Sequence, residues 1–280
     1  MRSLFHSFAA ALVSGQLMLS PASAQDIEVD VELALMVDVS RSMSPAELEI
    51  QRRGYAEALT SDVVVSAIQS GLLGRVAISY VEWAGDGSQR VIVDWRLLET
   101  REDAENFAET LTAQFNSTLR RTSISSALLF GADWIKGNGY AGLRRVIDVS
   151  GDGPNNHGQP VVQARDEVLA QDIIINGLPL MTRDGMGARW HLDDLDVYYR
   201  NCAVGGPGAF VIPVLTWPDF AMAVRRKLVL ELVGVPPLPP QPAQARIYRA
   251  QQTGRTTNGG YDCLIGEKIW QRNWGDNSLP

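Results

Sequence analysis

Histidine and cysteine are scarce in this chain, with three of the first and two of the second among 280 residues. Past Ala24 only His157 and His191 remain, and neither has a second ligand at helical or finger spacing; Cys202 and Cys263 fit no zinc pattern. A metal centre built on imidazole or thiolate is therefore not expected. Basic runs are missing as well, and the net charge is −7, so the chain lacks the footprint of a protein that holds nucleic acid or anionic lipid. No Gly-x-Ser-x-Gly elbow occurs, which argues against a serine hydrolase. Internal repeats and low-complexity tracts are also absent. No apolar run reaches the roughly 20 residues of a spanning helix, so stable membrane insertion is not expected.

What is present begins with Arg2, an apolar stretch from Phe8 to Leu19 broken by Ser14, Gly15 and Gln16, and then "PASAQ". This reads as a secretory signal peptide, residues 1–24, cut after Ala24, which sends the rest of the chain to the periplasm or outside the cell. Removing Arg2 with it takes the net charge from −7 to about −8. In an oxidising compartment Cys202 and Cys263 are expected to form a disulfide, two buried thiols being the alternative. A crosslink over so long a loop contributes about 4 kcal/mol in the chain-entropy account.

Strand patterns fall at 29–38, 75–83, 90–97, 144–150, 172–180 and 208–215, several of them apolar on both faces, which suits a mostly parallel sheet covered on both sides. Helical patterns alternate with them. Ser44 as N-cap, Pro45 at the first helical position and Glu47 three residues past the cap form a capping box. A second helix follows Thr122, with Ile124, Ala127, Leu128, Gly131 and Ile135 on one face, and a last one runs from Pro218 to Leu232. Weaker helical segments lie at 101–113, 160–170 and 190–200. The expected fold is a doubly wound α/β domain over residues 25–234, with six strands, mostly parallel, and one antiparallel edge strand from the 75–83 and 90–97 hairpin. Pro213 points to an edge position for the sixth strand. A Pro-rich linker, 235–245, leads to a tail, 246–280, too short for its own core, which a Cys202–Cys263 bond would tie to the domain.

The chemistry gathers in "MVDVSRSMSPAELE". Asp38 closes the first strand, and Ser40 and Ser42 follow before Ser44 caps the helix. Since Ser44 already serves as cap, the other two hydroxyls are available for something else. Thr122 opens the second helix in "TSISSAL", and Asp152 follows the fourth strand in "VSGDGPNN". If the first and fourth strands flank the point where strand order reverses, Asp38 and Asp152 face one crevice at the carboxyl edge, where open α/β sheets bind ligands. Two carboxylates and three hydroxyls make an all-oxygen set for a hard divalent cation, Mg²⁺ first, with Mn²⁺ or Ca²⁺ if the site is roomy. Asp148, on the same strand face as Ser150 and Asp152, either orients the site or makes a structural hydrogen bond. Asn155 and Asn156 are turn formers that could touch metal-bound water or a partner.

These residues resemble the metal-ion-dependent adhesion site of the von Willebrand factor A domains, written Asp-x-Ser-x-Ser, then Thr, then Asp in a turn. Here they are Asp38, Ser40, Ser42, Thr122 and Asp152, and the resemblance covers residues 29–233. "VIDVSGDGPNN" and "GGPGAFVIPV" look like an uncharacterised secreted or periplasmic bacterial branch of that family, a domain-of-unknown-function group. The resemblance implies a non-enzymatic module that binds a protein through the metal, with an Asp or Glu of the partner completing the coordination. One departure is Gly151, where the family more often has Thr. Two other readings stand beside it. Haloacid-dehalogenase-like phosphatases carry a comparable acidic turn, but they need a second carboxylate where this chain has Ser40, and Asn156 replaces a further acid. A structural module with an inactive site is the third.

Overall fold

The computed structural model describes residues 25–113, 119–182, 192–234, 248–249 and 260–274. The segments expected to be a signal peptide and a linker, Asn116 of a formal "NST" sequon, His191 and much of the tail lie outside them. Seven strands form one sheet: β1 (Ile27–Asp38), β2 (Val76–Trp83), β3 (Gln89–Leu98), β4 (Tyr140–Gly151), β5 (Ile173–Pro179), β6 (Phe210–Val211) and β7 (Tyr248–Arg249). Their order is β3-β2-β1-β4-β5-β6-β7. The β1, β2, β4, β5 and β6 pairings are parallel, and β3 pairs antiparallel with β2 at one edge. The helices are α1 (Pro45–Thr60), α2 (Asp62–Gln69), α3 (Arg101–Thr112), α4 (Ile124–Ile135), α5 (Val161–Leu169), α6 (Leu195–Tyr198), α7 (Phe220–Val233) and α8 (Ile265–Trp274). A single π-type turn, Tyr199–Ala203, continues α6.

The six strands read from the sequence form the body of this sheet, and the short β7 adds antiparallel to β6. Two expectations are corrected. Strand β6 is shorter than 208–215, and it is not an edge, because β7 lies beside it. Pro213 has no N–H to donate, so the ladder stops before it and returns only as the isolated Leu180–Val214 bridge.

Strand β1 is buried from Val29 onward, and its alternation divides the interior in two. Val31, Leu33, Leu35 and Val37 enter the core under α1, α2, α3 and α7, while Ala34 and Met36 enter the one under α4, α5 and α6. A strand apolar on both faces can only sit in the middle of a three-layer sandwich, and that fixes the sheet centre at β1 and β4. From β1 the chain first winds outward to β2 and β3, then returns to β4 and winds the other way. The reversal therefore falls between β1 and β4, and both carboxyl ends open on the same edge.

Helix α1 crosses α7 at Gly54, where a Cβ would lie 2.5 and 2.7 Å from two ring carbons of the buried Phe220. Alanine is favoured over glycine in a helix by about 1 kcal/mol. The crowding works in the other direction and is larger, about 1–3 kcal/mol for an overpacked core. Gly54→Ala is thus expected to destabilise the protein despite its better helix propensity, which urea denaturation will read; a gain in stability would show that α7 yields freely.

Candidate metal centre

The site is assembled from three loops at the carboxyl edge of β1 and β4. In the first, the Ser40 amide donates to Asp38 Oδ1 at 2.6 Å, folding the chain back over the carboxylate. The turn closes with the Met43 amide on the Ser40 carbonyl, and α1 then starts as its capping box prescribes: Ser44 N–H to Glu47 Oε2 at 2.6 Å and Glu47 N–H to Ser44 Oγ at 3.3 Å. With the cap supplied by Ser44, the Ser40 and Ser42 hydroxyls turn to each other at 2.9 Å, and Ser42 Oγ donates to Asp152 Oδ1 at 2.7 Å.

The second loop behaves alike. Ser123, not Thr122, is the N-cap of α4, its Oγ accepting from the Ser126 amide, so Thr122 is released from that duty. Thr122 is held instead by Asn156, through its own N–H to Asn156 Oδ1 at 3.1 Å and the Asn156 amide to its carbonyl at 2.9 Å. Arg121, just before it, takes the left-handed conformation at φ 71°. The third loop is the Gly151–Asp152 turn. Ser40, Ser42, Thr122 and Asp152 line one cleft of about 430 Å³, and Asp38 lies fully buried beneath them.

Burial raises the Asp38 carboxyl well above its ordinary pKa, and the neighbouring charge of Asp152 adds to it. Burial likewise pushes Asp152 up to about 6, against the hydrogen bond from Ser42 and with the charge of Glu47. Asp38 Oδ2 is buried with no hydrogen-bond partner among the described residues. Two adjacent carboxylates, one oxygen of them orphaned, are the environment a cation relieves. No cluster of three His, Cys, Asp or Glu side chains occurs among the described residues; the donor set is two carboxylates and three hydroxyls, which suits a hard cation and not a soft one.

The other residues singled out in the sequence sit elsewhere. Asp148 belongs to a buried ion cluster: the Lys227 ammonium pairs with its Oδ2, and the Tyr55 hydroxyl donates to that oxygen at 3.4 Å. Asn155 faces away from the cleft, taking the Ser125 amide on Oδ1 and donating through Nδ2 to Gln159 and, at 2.8 Å, to Glu267. It is Asn156 that lines the cleft. His157 accepts the Asp86 amide on Nδ1 at 3.0 Å, a satisfied polar role. Cys202, in the π-type turn, is bonded to Cys263, 61 residues on, with Cα atoms 5.5 Å apart.

Some neighbours of the site leave no mark in the sequence pattern. Tyr199 is one: its hydroxyl and Asp38 Oδ2 each stand 2.9 Å from where a Gly151 Cβ would be. The departure from Thr at position 151 is a signal, but nothing in the sequence says what fills the space. Arg41, Arg120, Arg121 and Trp270 also line the cleft, from loops and a helix far apart in the chain.

The doubly wound sheet has the fold of the von Willebrand factor A domains. Residues 28–236 match the family described as "Protein of unknown function (DUF1194)", and the chain belongs to that family. Among solved structures, proximal thread matrix protein 1 from the mussel byssus is 13% identical, with 75% of this chain and 49% of that chain covered and a TM-score of 0.50. The pilus adhesin SpaC from Lactobacillus rhamnosus GG is 11% identical over 74% of this chain and 31% of its own, at 0.52. A von Willebrand factor type A protein from Catenulispora acidiphila is 13% identical over 73% and 43%, at 0.49. The mussel protein has also been solved with zinc in its MIDAS motif, 12% identical over 75% and 49%, at 0.47. At such identities the likeness is one of fold, and this chain spans half or less of the length of each. No curated protein matches the chain. No helix among the described residues is long and apolar enough to cross a membrane.

Proposed function

We propose that this is an exported, non-enzymatic binding module that holds a divalent cation with Asp38, Ser40, Ser42, Thr122 and Asp152 and uses it to bind a carboxylate of a partner protein. The observation that carries the reading is the convergence of these three loops, with Asp38 Oδ2 buried beside them and without a hydrogen-bond partner among the described residues. Bound there, a divalent cation would supply a Lewis-acidic position for an oxygen ligand from outside. The protein's two carboxylates balance its charge without exceeding it, and the hydroxyls contribute no further charge, so affinity for an external carboxylate is retained. Mg²⁺ fits the all-oxygen set best, with Mn²⁺ and Ca²⁺ as alternatives. The signal-like first 24 residues and the Cys202–Cys263 disulfide support a periplasmic or secreted location.

A phosphatase of the haloacid-dehalogenase kind would need an acid two residues after Asp38, and Ser40 occupies that position with its hydroxyl engaged by Ser42.

Thermal unfolding in EDTA, Mg²⁺, Mn²⁺, Ca²⁺ and Zn²⁺ tests the reading. A cation at about one hundred times its Kd stabilises by about 2.7 kcal/mol, which is roughly 5–11 °C for a chain of this size. Wild type is expected to show that rise and Asp38→Ala to lose it. No rise with any cation would sink the metal site, and turnover of p-nitrophenyl phosphate that disappears in Asp38→Ala would move the assignment to a phosphatase.

A further inference from the structure

The cleft above the metal loops has a wall that the family does not account for. The family match ends at residue 236, yet Gly266, Ile269 and Trp270 of α8 close one side of the cleft. This helix is fixed in register against the loop that carries Asp152. The Cys202–Cys263 bond anchors the chain two residues before it. Asn155 donates to Glu267 at 2.8 Å, and a Cβ at Gly266 would run into the Asn155 carbonyl, so the helix backbone lies directly on the loop.

The same cleft is lined by Arg41, Arg120 and Arg121, the first two exposed and the third half-buried. No carboxylate partner for any of the three is found among the described residues. In a protein of net charge −7, three such guanidiniums in one cleft oppose the overall charge and call for an anion from outside. Arg121 lies with its Cζ 3.5 Å from the centroid of the Trp270 ring. Stacking uses the guanidinium face and leaves its in-plane N–H edge for bidentate pairing with a carboxylate. Its left-handed φ of 71° is a conformation that costs a non-glycine residue energy and recurs at ligand-binding positions.

We infer that the cleft between the metal loops and α8 binds an acidic peptide segment of a partner protein, one carboxylate directed to the metal loops and a second to the arginines beside Trp270. The inference rests on the metal reading for the first carboxylate and on the arginines and α8 for the second. A volume of about 430 Å³ accommodates a short stretch of side chains and not a folded element. Nucleic acid is disfavoured by the Asp152 carboxylate that lines the cleft and by the net charge.

The test is fluorescence polarisation on the disulfide-bonded protein, with three probes in Mg²⁺ and in EDTA. These are a fluorescein-labelled glycine-serine nonapeptide with two glutamates one residue apart, the same peptide with the second glutamate changed to glutamine, and unlabelled glutarate as competitor. The two-glutamate peptide is expected to bind at least about tenfold more tightly than its glutamine counterpart, and Arg41→Gln with Arg120→Gln to erase that difference. Both arginines are exposed, so the variant is expected to keep its fold, which its melting curve in EDTA reads. Trp270→Leu is expected to weaken the two-glutamate peptide by a similar factor. Equal affinity for both peptides, affinity unchanged in the variants, no binding of either, or displacement by glutarate as effective as by the peptide itself would each overturn the inference. If the arginine-dependent preference holds while no cation moves the melting temperature, the arginine site for the second carboxylate stands and the metal reading falls together with the place given to the first; a metal shift without the preference leaves the metal reading standing and overturns the acidic-peptide cleft.

Discussion

Lys227→Met is expected to lower the unfolding free energy by about 3–5 kcal/mol, or roughly 6–20 °C in Tm. Lys227 is fully buried on α7, and its ammonium pairs with Asp148 of β4 and, at 2.8 Å, with Glu231 one turn on. Asn176 of β5 donates to the same Glu231 oxygen at 3.0 Å, which ties the cluster across two strands and a helix. Burial works against the ammonium, but the two carboxylates outweigh it and hold the lysine above its ordinary pKa. Without the lysine, two acidic side chains whose Asp148 Oδ1 and Glu231 Oε2 have no hydrogen-bond partner among the described residues would be left against each other in an apolar core.

The cluster also sets a pH dependence whose sign can be worked out. Burial pushes Asp148 up to about 7, against the pull of Lys227 and with the push of Glu231. The folded protein thus holds a proton that the unfolded chain gives up near its ordinary value of 3.8. That contribution is intact below the unfolded pKa and is lost as pH rises towards 7, so wild type is expected to be less stable at pH 8 than at pH 5 on this account. Lys227→Met removes the pull that opposes burial at Asp148, so it is expected to raise that carboxyl further and deepen the loss at pH 8, and Asp148→Asn added to it will restore part of the stability. Guanidinium denaturation at the two pH values reads all three. A deficit under about 1 kcal/mol in Lys227→Met would mean that water or a rearranged side chain already serves the carboxylates.

The contrast between this cluster and the rest of the fold shows what periodicity can carry. Strand β1 is legible because it is apolar on both faces, and α1 because Ser44, Pro45 and Glu47 mark its start; both follow from local geometry. The α7 stripe of Phe220, Val224, Leu228 and Leu232 is buried as its spacing predicts. Lys227 and Glu231 share that buried face, and a pattern of apolar residues gives no reason to bury them; their partner lies on a strand 79 residues before Lys227 and is brought to them only by the sheet. Helix α2 is not legible because "DVVVSAIQ" is rich in β-branched residues and helical only by context, its apolar face packing on α7. The residues proposed to hold the cation are readable as an ordered set. Arg41, Arg120, Arg121 and Trp270 are not, since they share a cleft only after three loops and the disulfide-bonded helix have met.

Gly151→Thr, which restores the residue usual in von Willebrand factor A domains, is expected to cost about 1–3 kcal/mol and to abolish the metal-dependent rise in melting temperature. A Cβ there would stand 2.9 Å from both Asp38 Oδ2 and the Tyr199 hydroxyl, and 3.1 Å from Asp38 Cβ. With the fully buried Tyr199 ring as the other neighbour, the Asp38 carboxylate is the group expected to move, and a displaced Asp38 no longer meets Ser40, Ser42 and Asp152 in one place. Tyr199 is the reason the position is closed: it is fully buried in the π-type turn, and its hydroxyl, like Asp38 Oδ2, has no hydrogen-bond partner among the described residues. Removing that hydroxyl should reopen the space, so Gly151→Thr with Tyr199→Phe is expected to recover part of both the stability and the metal shift. The two substitutions would then couple by about 1 kcal/mol or more. Melting curves of the two single variants and the double variant, in EDTA and in Mg²⁺, complete the cycle. Additive effects, or a full metal shift in Gly151→Thr alone, would show that Tyr199 and Gly151 are independent. Coupling would mean that this family member has exchanged a hydroxyl on the loop beside Asp152 for one delivered by the segment that also carries Cys202, which joins the metal site to the disulfide that holds α8.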